Sequence, residues 1–245
     1  MNPLPKRRMS FYEKYIKRVL DVTCCVLALI FFWWVYLIVA LLVRVNLGSP
    51  VIFKQPRPGL VDEEGREKIF LMYKFRTMTD ERGDDGKLLS DDARITRFGK
   101  MLRATSLDEL PETFNILKGD MSIVGPRPQL VRDMVFMSER QRMRHTAKPG
   151  LSGLAQIKGR NSITWESKIE MDLKYIKKVT FLKDIKIVLD TAKKVFIRSN
   201  ITQSNNEIDF TLDYGDALLK NGIVSQDEYD KKQSEADKLL VKMNC

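Results

Sequence analysis

The sequence predicts an α+β fold with an N-terminal membrane helix, a small and mainly helical domain carrying one β-hairpin, interfacial amphipathic helices, and a C-terminal helical hairpin. Three observations predict it. One uncharged apolar run is long enough to enter a bilayer, two β-patterned segments flank an acidic turn, and helical periodicity fills most of the remaining chain. A chain of 245 residues, 44% of them hydrophobic, can bury one sizeable core and carry appendages.

The membrane helix rests on the run from Val22 to Val43, 22 residues without a charge. As a helix this run extends about 33 Å, enough for the hydrocarbon layer. It is too long for a signal peptide and no small-residue cleavage pattern comes after it, so it stays attached. Both flanks are basic: Lys6, Arg7, Arg8, Lys14, Lys17 and Arg18 precede it, and Arg44, Lys54, Arg57, Arg66 and Lys68 lie beyond it. Cytoplasmic flanks carry Lys and Arg, so two topologies stand. A plain span exports the rest of the chain. A re-entrant helix bends inside the membrane and returns, with Arg18 and Asp21 one turn apart as a screening pair at its mouth. Bends usually need a breaker such as proline, and none lies in the run.

Gly48-Ser49-Pro50 stops the helix, Val51-Ile52-Phe53 reads as a short strand before a Pro56-Arg57-Pro58-Gly59 turn, and Ile69 to Phe75 reads as a second strand. The acidic stretch Asp62 to Gly65 turns between them. Asp80 to Asp92 is a polar loop over the domain. Leu107, Leu110, Phe114 and Leu117 then recur at helical spacing, with Lys118 in the last turn and Gly119 beyond. Asp108 suits an N-cap of that helix, and Ser106 with Glu109 a capping box. From Phe181 to Arg198, Phe181, Ile185, Val188 and Leu189 oppose Lys183, Lys186 and Lys193, which suits an interfacial helix or a surface helix of the core. Leu212 to Lys220 is a helix stopped by Asn221-Gly222, and Ser225 with Glu228 opens another. This hairpin resembles the SHOCT type; it fits oligomerisation or docking as readily as a solvated appendage, so a homo-oligomer stays open.

Charge narrows the partners. The net charge is +10, yet from Gln203 onward it is −4, leaving +14 on the preceding part. That surplus calls for anionic partners: nucleic acid, lipid headgroups or a phosphorylated small molecule. Three cysteines, two adjacent in the apolar run, make no disulfide framework. His145 stands alone, without the ligands of a zinc site.

The residues suited to chemistry lie between Tyr73 and Asn161. Lys74, Arg76, Arg103, Arg127 and Arg160 supply cations around one carboxylate pair, Asp108-Glu109. Phosphoryl transfer needs such a set, because anionic oxygens must be neutralised before a nucleophile nears phosphorus. In Gly125-Pro126-Arg127-Pro128 the prolines fix the backbone, so less entropy is lost when Arg127 grips a phosphate. A membrane-tethered basic module that binds anionic lipid or nucleic acid is the alternative; a carboxylate pair among its cations would weaken it. A glycosyl transferase that moves sugar without phosphate is a third reading, with no Rossmann-type glycine fingerprint to support it.

Several motifs in one order carry a resemblance: Lys17-Arg18-x-x-Asp21, Gln55-x-Arg57-x-Gly59-Leu60, Tyr73 to Met78, Ser106 to Pro111, Asn115 to Pro128, Pro149 to Gly153 and Gly159-Arg160-Asn161. From about Tyr12 to Arg198 the chain resembles the bacterial sugar transferase family, the monotopic phosphoglycosyl transferases that start surface glycans on undecaprenyl phosphate. The resemblance implies that Asp108 is a nucleophile attacking the sugar-linked phosphorus of a UDP-sugar, releasing UMP. A polyprenyl phosphate then takes the sugar phosphate. It implies Mg²⁺ held by Glu109 with Asp108, and substrate contacts from Lys74, Arg76, Arg103, Arg127 and Arg160. Nucleic acid is then not a partner. The chain thus divides into a membrane anchor over residues 1–47, a catalytic domain over 48–202 and a SHOCT-like appendage over 203–245, and the resemblance implies placement at the cytoplasmic face of the inner membrane. The family's membrane helix usually breaks at a Ser-Pro pair, where this chain has Trp33-Trp34.

Overall fold

The computed structural model describes residues 1–158, 164–197 and 212–243. Arg160, with the rest of Gly159-Arg160-Asn161, and the expected boundary at 202/203 lie outside the described residues. The remaining chain mixes long and short helices with two small sheets.

A π-helical turn, Tyr12–Ile16, leads into α1, Lys17–Leu47, a helix unbroken through Trp33-Trp34. It is long and apolar enough to cross a membrane. One narrow stripe of it, Asp21, Cys25, Val39, Val43 and Leu47, is buried against the domain, while Ile30 to Trp34, Leu37, Leu41 and Val45 are exposed. The chain on both sides of α1 is tied to the same body. Before it, Leu4 N–H donates to Gly65 O at 2.8 Å, Arg142 donates to Asn2 O at 2.9 Å, and Arg7 donates to Ile176 O at 3.0 Å. Along it, Asp21 accepts the Ile123 N–H at 3.0 Å, and Tyr36 shares a hydroxyl hydrogen bond of 2.8 Å with Thr113.

β1, Ile52–Val61, and β2, Glu67–Phe75, form the antiparallel hairpin, with Ile52 opposite Phe75. The expected turn at Pro56 to Gly59 is instead strand, and the ladder slips only between Pro58 and Val61. A two-stranded sheet tolerates this, because both strands are edges and a proline there loses no required donor.

α2, Asp91–Arg94, and α3, Arg97–Thr105, come after the polar loop, with Thr96 Oγ1 capping α3 by accepting Gly99 N–H at 3.0 Å. The expected single helix at Leu107 is divided. Leu107–Glu109 is a 3₁₀ turn and α4, Glu112–Lys118, starts after Pro111. Ser106 has φ 57° and caps nothing with its side chain, so the capping box is not formed. Nor is the apolar set the buried face: Phe114 is exposed, and α4 buries Glu112, Thr113, Asn115 and Ile116. Asn115 explains the turnabout. Its Oδ1 accepts Tyr73 N–H at 2.9 Å and its Nδ2 donates to Leu71 O at 2.7 Å, so α4 is stapled to the open edge of β2 by hydrogen bonds.

β3, Ser122–Val124, pairs in parallel with β4, Gly150–Ser152. A Cβ on Gly150 would stand 2.0 Å from Gly125 N, so glycine is required for the Gly-Pro-Arg-Pro loop to leave β3 against β4. Between them run α5, Val131–Met134, α6, Glu139–Arg142, and a 3₁₀ turn, Met143–Thr146. His145 is buried there beside Glu67. α7, Leu154–Lys158, α8, Trp165–Ile176, and α9, Phe181–Ile197, complete the domain. Its largest core gathers Val124, Ile169, Leu173, Tyr175 and Ile187. α9 turns Asp184 and Ile187 inward and leaves Phe181, Leu182, Ile185, Val188 and Leu189 exposed. At the C-terminal end, α10, Tyr214–Lys220, and α11, Gln226–Met243, pack on α5.

Candidate active site

The 3₁₀ turn, the end of β2 and the Gly-Pro-Arg-Pro loop converge on the carboxylate pair. Glu109 Oε1 accepts from Lys74 Nζ at 3.0 Å and is also paired with Arg127. Lys74 Nζ lies 3.2 Å from Glu112 Oε1. One ammonium therefore serves two carboxylates, and Glu112 is 1% exposed. Asp108 is buried next to this group. Burial alone would raise the Glu109 carboxyl, but Arg127 and Lys74 outweigh it and hold it down at about 2. Burial raises the Asp108 carboxyl, with Glu109 adding to the rise, while Lys74, Arg103 and Arg127 oppose it. Two adjacent carboxylates are thus driven apart, one a fixed anion and the other a more basic one. Such a divergence suits distinct chemical roles.

Arg103 reaches this field from α3, its Nε donating to Thr77 Oγ1 at 3.0 Å. Arg127 is held through its backbone: buried Arg144 donates to its carbonyl at 2.7 Å, and Arg57 donates to Pro128 O at 3.2 Å. Of the expected site residues, the structure brings together Asp108, Glu109, Lys74, Arg103 and Arg127. Arg76 stands apart, its guanidinium donating to Met78 O at 2.9 Å and Ser49 O at 2.8 Å and pairing with Asp80 at 3.1 Å. Arg160 lies outside the described residues. Sequence reasoning missed Glu112 and Arg144. Glu112 had a signal: it sits four positions from Asp108 and three from Glu109, the spacing that shares a helix face. Arg144 had none, because its partners Arg127 and Asp172 are distant in sequence.

Among the described residues no three His, Cys, Asp or Glu side chains gather as a protein-only metal cage. The donor set suits Mg²⁺ nonetheless, since that ion takes one or two carboxylates, keeps waters and shares substrate phosphates. Lys74 and Arg127 both engage Oε1 of Glu109, which leaves Oε2 outside those pairs.

The family model for bacterial sugar transferases matches residues 12–198, which includes every element of this cluster. The chain belongs to the bacterial sugar transferase family. Among its relatives in that family, an uncharacterized sugar transferase of Bacillus subtilis, EpsL, is 46% identical over 78% of this chain and 92% of its own length. The UDP-glucose:undecaprenyl-phosphate glucose-1-phosphate transferase of Klebsiella pneumoniae is 40% identical over 81% of this chain. The undecaprenyl-phosphate galactose phosphotransferase of Salmonella typhimurium is 36% identical over 80% of it. This bacterial sugar transferase spans less than half of the latter two, 44% and 43% of their lengths. The chain is an enzyme of this family and is membrane-associated, with one helix among the described residues, near the N-terminus, long and apolar enough to cross a membrane. The C-terminal helices α10 and α11 lie beyond the family match.

Proposed function

We propose that this enzyme transfers a sugar-1-phosphate from a UDP-hexose to undecaprenyl phosphate at the cytoplasmic face of the inner membrane, the first membrane step of a surface glycan. The observation that carries the reading is the setting of the acidic pair: Asp108 is buried beside Glu109, whose carboxylate is gripped by Lys74 and Arg127. The Asp108 carboxylate attacks the phosphorus that bears the sugar. A bond forms from its oxygen to phosphorus, the bond from phosphorus to the bridging oxygen breaks, and UMP departs with that electron pair. An oxygen of the lipid phosphate then attacks the same phosphorus, and Asp108 leaves as a carboxylate. Lys74, Arg103 and Arg127 supply positive charge around the phosphoryl oxygens in both steps. Mg²⁺ on Glu109 and Asp108 would neutralise pyrophosphate charge. Two displacements through one covalent adduct give ping-pong kinetics.

Supplying UDP-glucose or UDP-galactose without lipid tests this directly. Wild type is expected to release one equivalent of UMP and to carry a sugar phosphate on Asp108. Asp108→Asn should release none, while its membrane association is unchanged. Turnover by Asp108→Asn, or UMP release only when lipid is present, refutes the covalent route.

We further propose that α1 enters the membrane and returns without a break in its helix, with both flanks on the cytoplasmic side. What supports this is that the residues before α1 and those after it are bound into the same body.

A further inference from the structure

The C-terminal helices are seated on α5 and its neighbours by contacts of several kinds. Trp165 Nε1–H donates to Leu212 O at 3.2 Å, and Gln141 Nε2 donates to the Tyr214 hydroxyl at 3.2 Å. Gly215 N–H donates to Asp133 Oδ1 at 3.0 Å, both residues being buried. A Cβ on Gly215 would stand 2.6 Å from the Phe136 ring, so glycine lets α10 approach this closely. Tyr229 stacks on the same ring with centroids 5.5 Å apart. Ala236, Leu239 and Leu240 of α11 cover Val131, Met134 and Val135. Charge agrees with shape: from Gln203 onward the chain carries −4 against +14 before it, and Asp213 and Asp216 pair with Arg132.

All of these contacts hold α5 and its neighbours, and α5 begins three positions after Pro128. On its other side the loop is tied through Arg144 to the Arg127 carbonyl and through Arg57 to the Pro128 carbonyl. Where α5 sits therefore decides where the Arg127 side chain meets Glu109. We propose that residues 212–243 are a built-in positioning element for the Arg127 loop, which strengthens donor binding without touching the donor. The proposal rests on the transferase reading and concerns a segment that the family match does not include.

The test uses full-length Gly215→Val and, separately, Tyr229→Ala, with Ile223→Ser on the exposed side of the tail as a control. Limited proteolysis reports tail release, and UMP release is measured over a range of UDP-glucose or UDP-galactose concentrations. Both variants should free the tail and lower kcat/KM for the donor by roughly fivefold or more, since small misplacement of a charge that acts in both steps is costly. In an Arg127→Ala background the tail substitutions should add little, because coupled residues are non-additive. A freed tail with unchanged kcat/KM overturns the proposal, as does an undiminished effect in the Arg127→Ala background or a tail that stays docked in both variants. Wild type that releases no UMP from either donor counts against the transferase reading itself, a result seen before any variant is assayed.

Discussion

Lys74 shows how tightly the acidic residues of the site depend on one ammonium. It lies 3.0 Å from Glu109 and 3.2 Å from Glu112, and Glu112 has almost no contact with solvent. Removing one partner of a buried pair typically costs about 3–5 kcal/mol, because the other charge is stranded. Lys74→Met should therefore lower the melting temperature strongly. Adding Glu112→Gln should restore much of that stability and none of the activity, since the phosphate would still lack its cation. Thermal unfolding in detergent read beside UMP release checks both halves; activity that returns with stability would remove Lys74 from the chemistry. The pair Asp108-Glu109 and its cations at 74, 103 and 127 were legible in the sequence, because motif spacing preserves which residue types cluster. Glu112 was signalled only by its spacing from Asp108 and Glu109, and Arg76 looked equivalent to Lys74 until its guanidinium proved engaged by the backbone of Ser49 and Met78.

At the level of elements, hydrophobic period located α4 but named the wrong face, since Asn115 and Glu112 are buried by polar partners that periodicity does not register. Proline suggested a turn where β1 continues, because a hairpin edge excuses the missing donor. α9 runs nearly the length its periodicity suggests, and its apolar side faces outward. The contact of α10 with α5 was beyond reach of the sequence, for it depends on which surface the chain returns to. That contact carries its own pH dependence. Burial raises the Asp133 carboxyl to about 6, with Asp213 adding and the Gly215 N–H opposing. The folded chain thus holds the proton more tightly than the unfolded chain, whose Asp titrates near 3.9, and stability falls as pH rises from there through about 6. Asp133→Asn keeps an acceptor for Gly215 and has no charge to bury. It should be more stable than wild type at pH 8 by on the order of 2–3 kcal/mol and no more stable at pH 3. Denaturant midpoints at the two pH values decide this, and a pH-independent difference would be the contrary result.

For the whole molecule, the question is how one apolar helix and a basic domain share a membrane. Ile30 to Trp34, Leu37 and Leu41 of α1 and Phe181, Leu182, Ile185 and Leu189 of α9 together expose more apolar surface than soluble monomers usually tolerate. A plain span would put residues 1–16 across a hydrocarbon layer about 30 Å thick from everything after α1. That arrangement would break the hydrogen bonds of Leu4 with Gly65, Asn2 with Arg142 and Arg7 with Ile176, and would strip the N-terminal ammonium from Glu235, 3.4 Å away. Leu4, 3% exposed, would also lose its packing. Re-entry preserves all of these, and the basic residues on both flanks are then on the side where Lys and Arg collect. Epitope tags at the two termini should consequently be protected together from external protease in intact cells, and be cleaved together after lysis. A C-terminal tag digested in intact cells while the N-terminal tag survives would establish the plain span, and with it a folded arrangement in which residues 1–8 leave the domain.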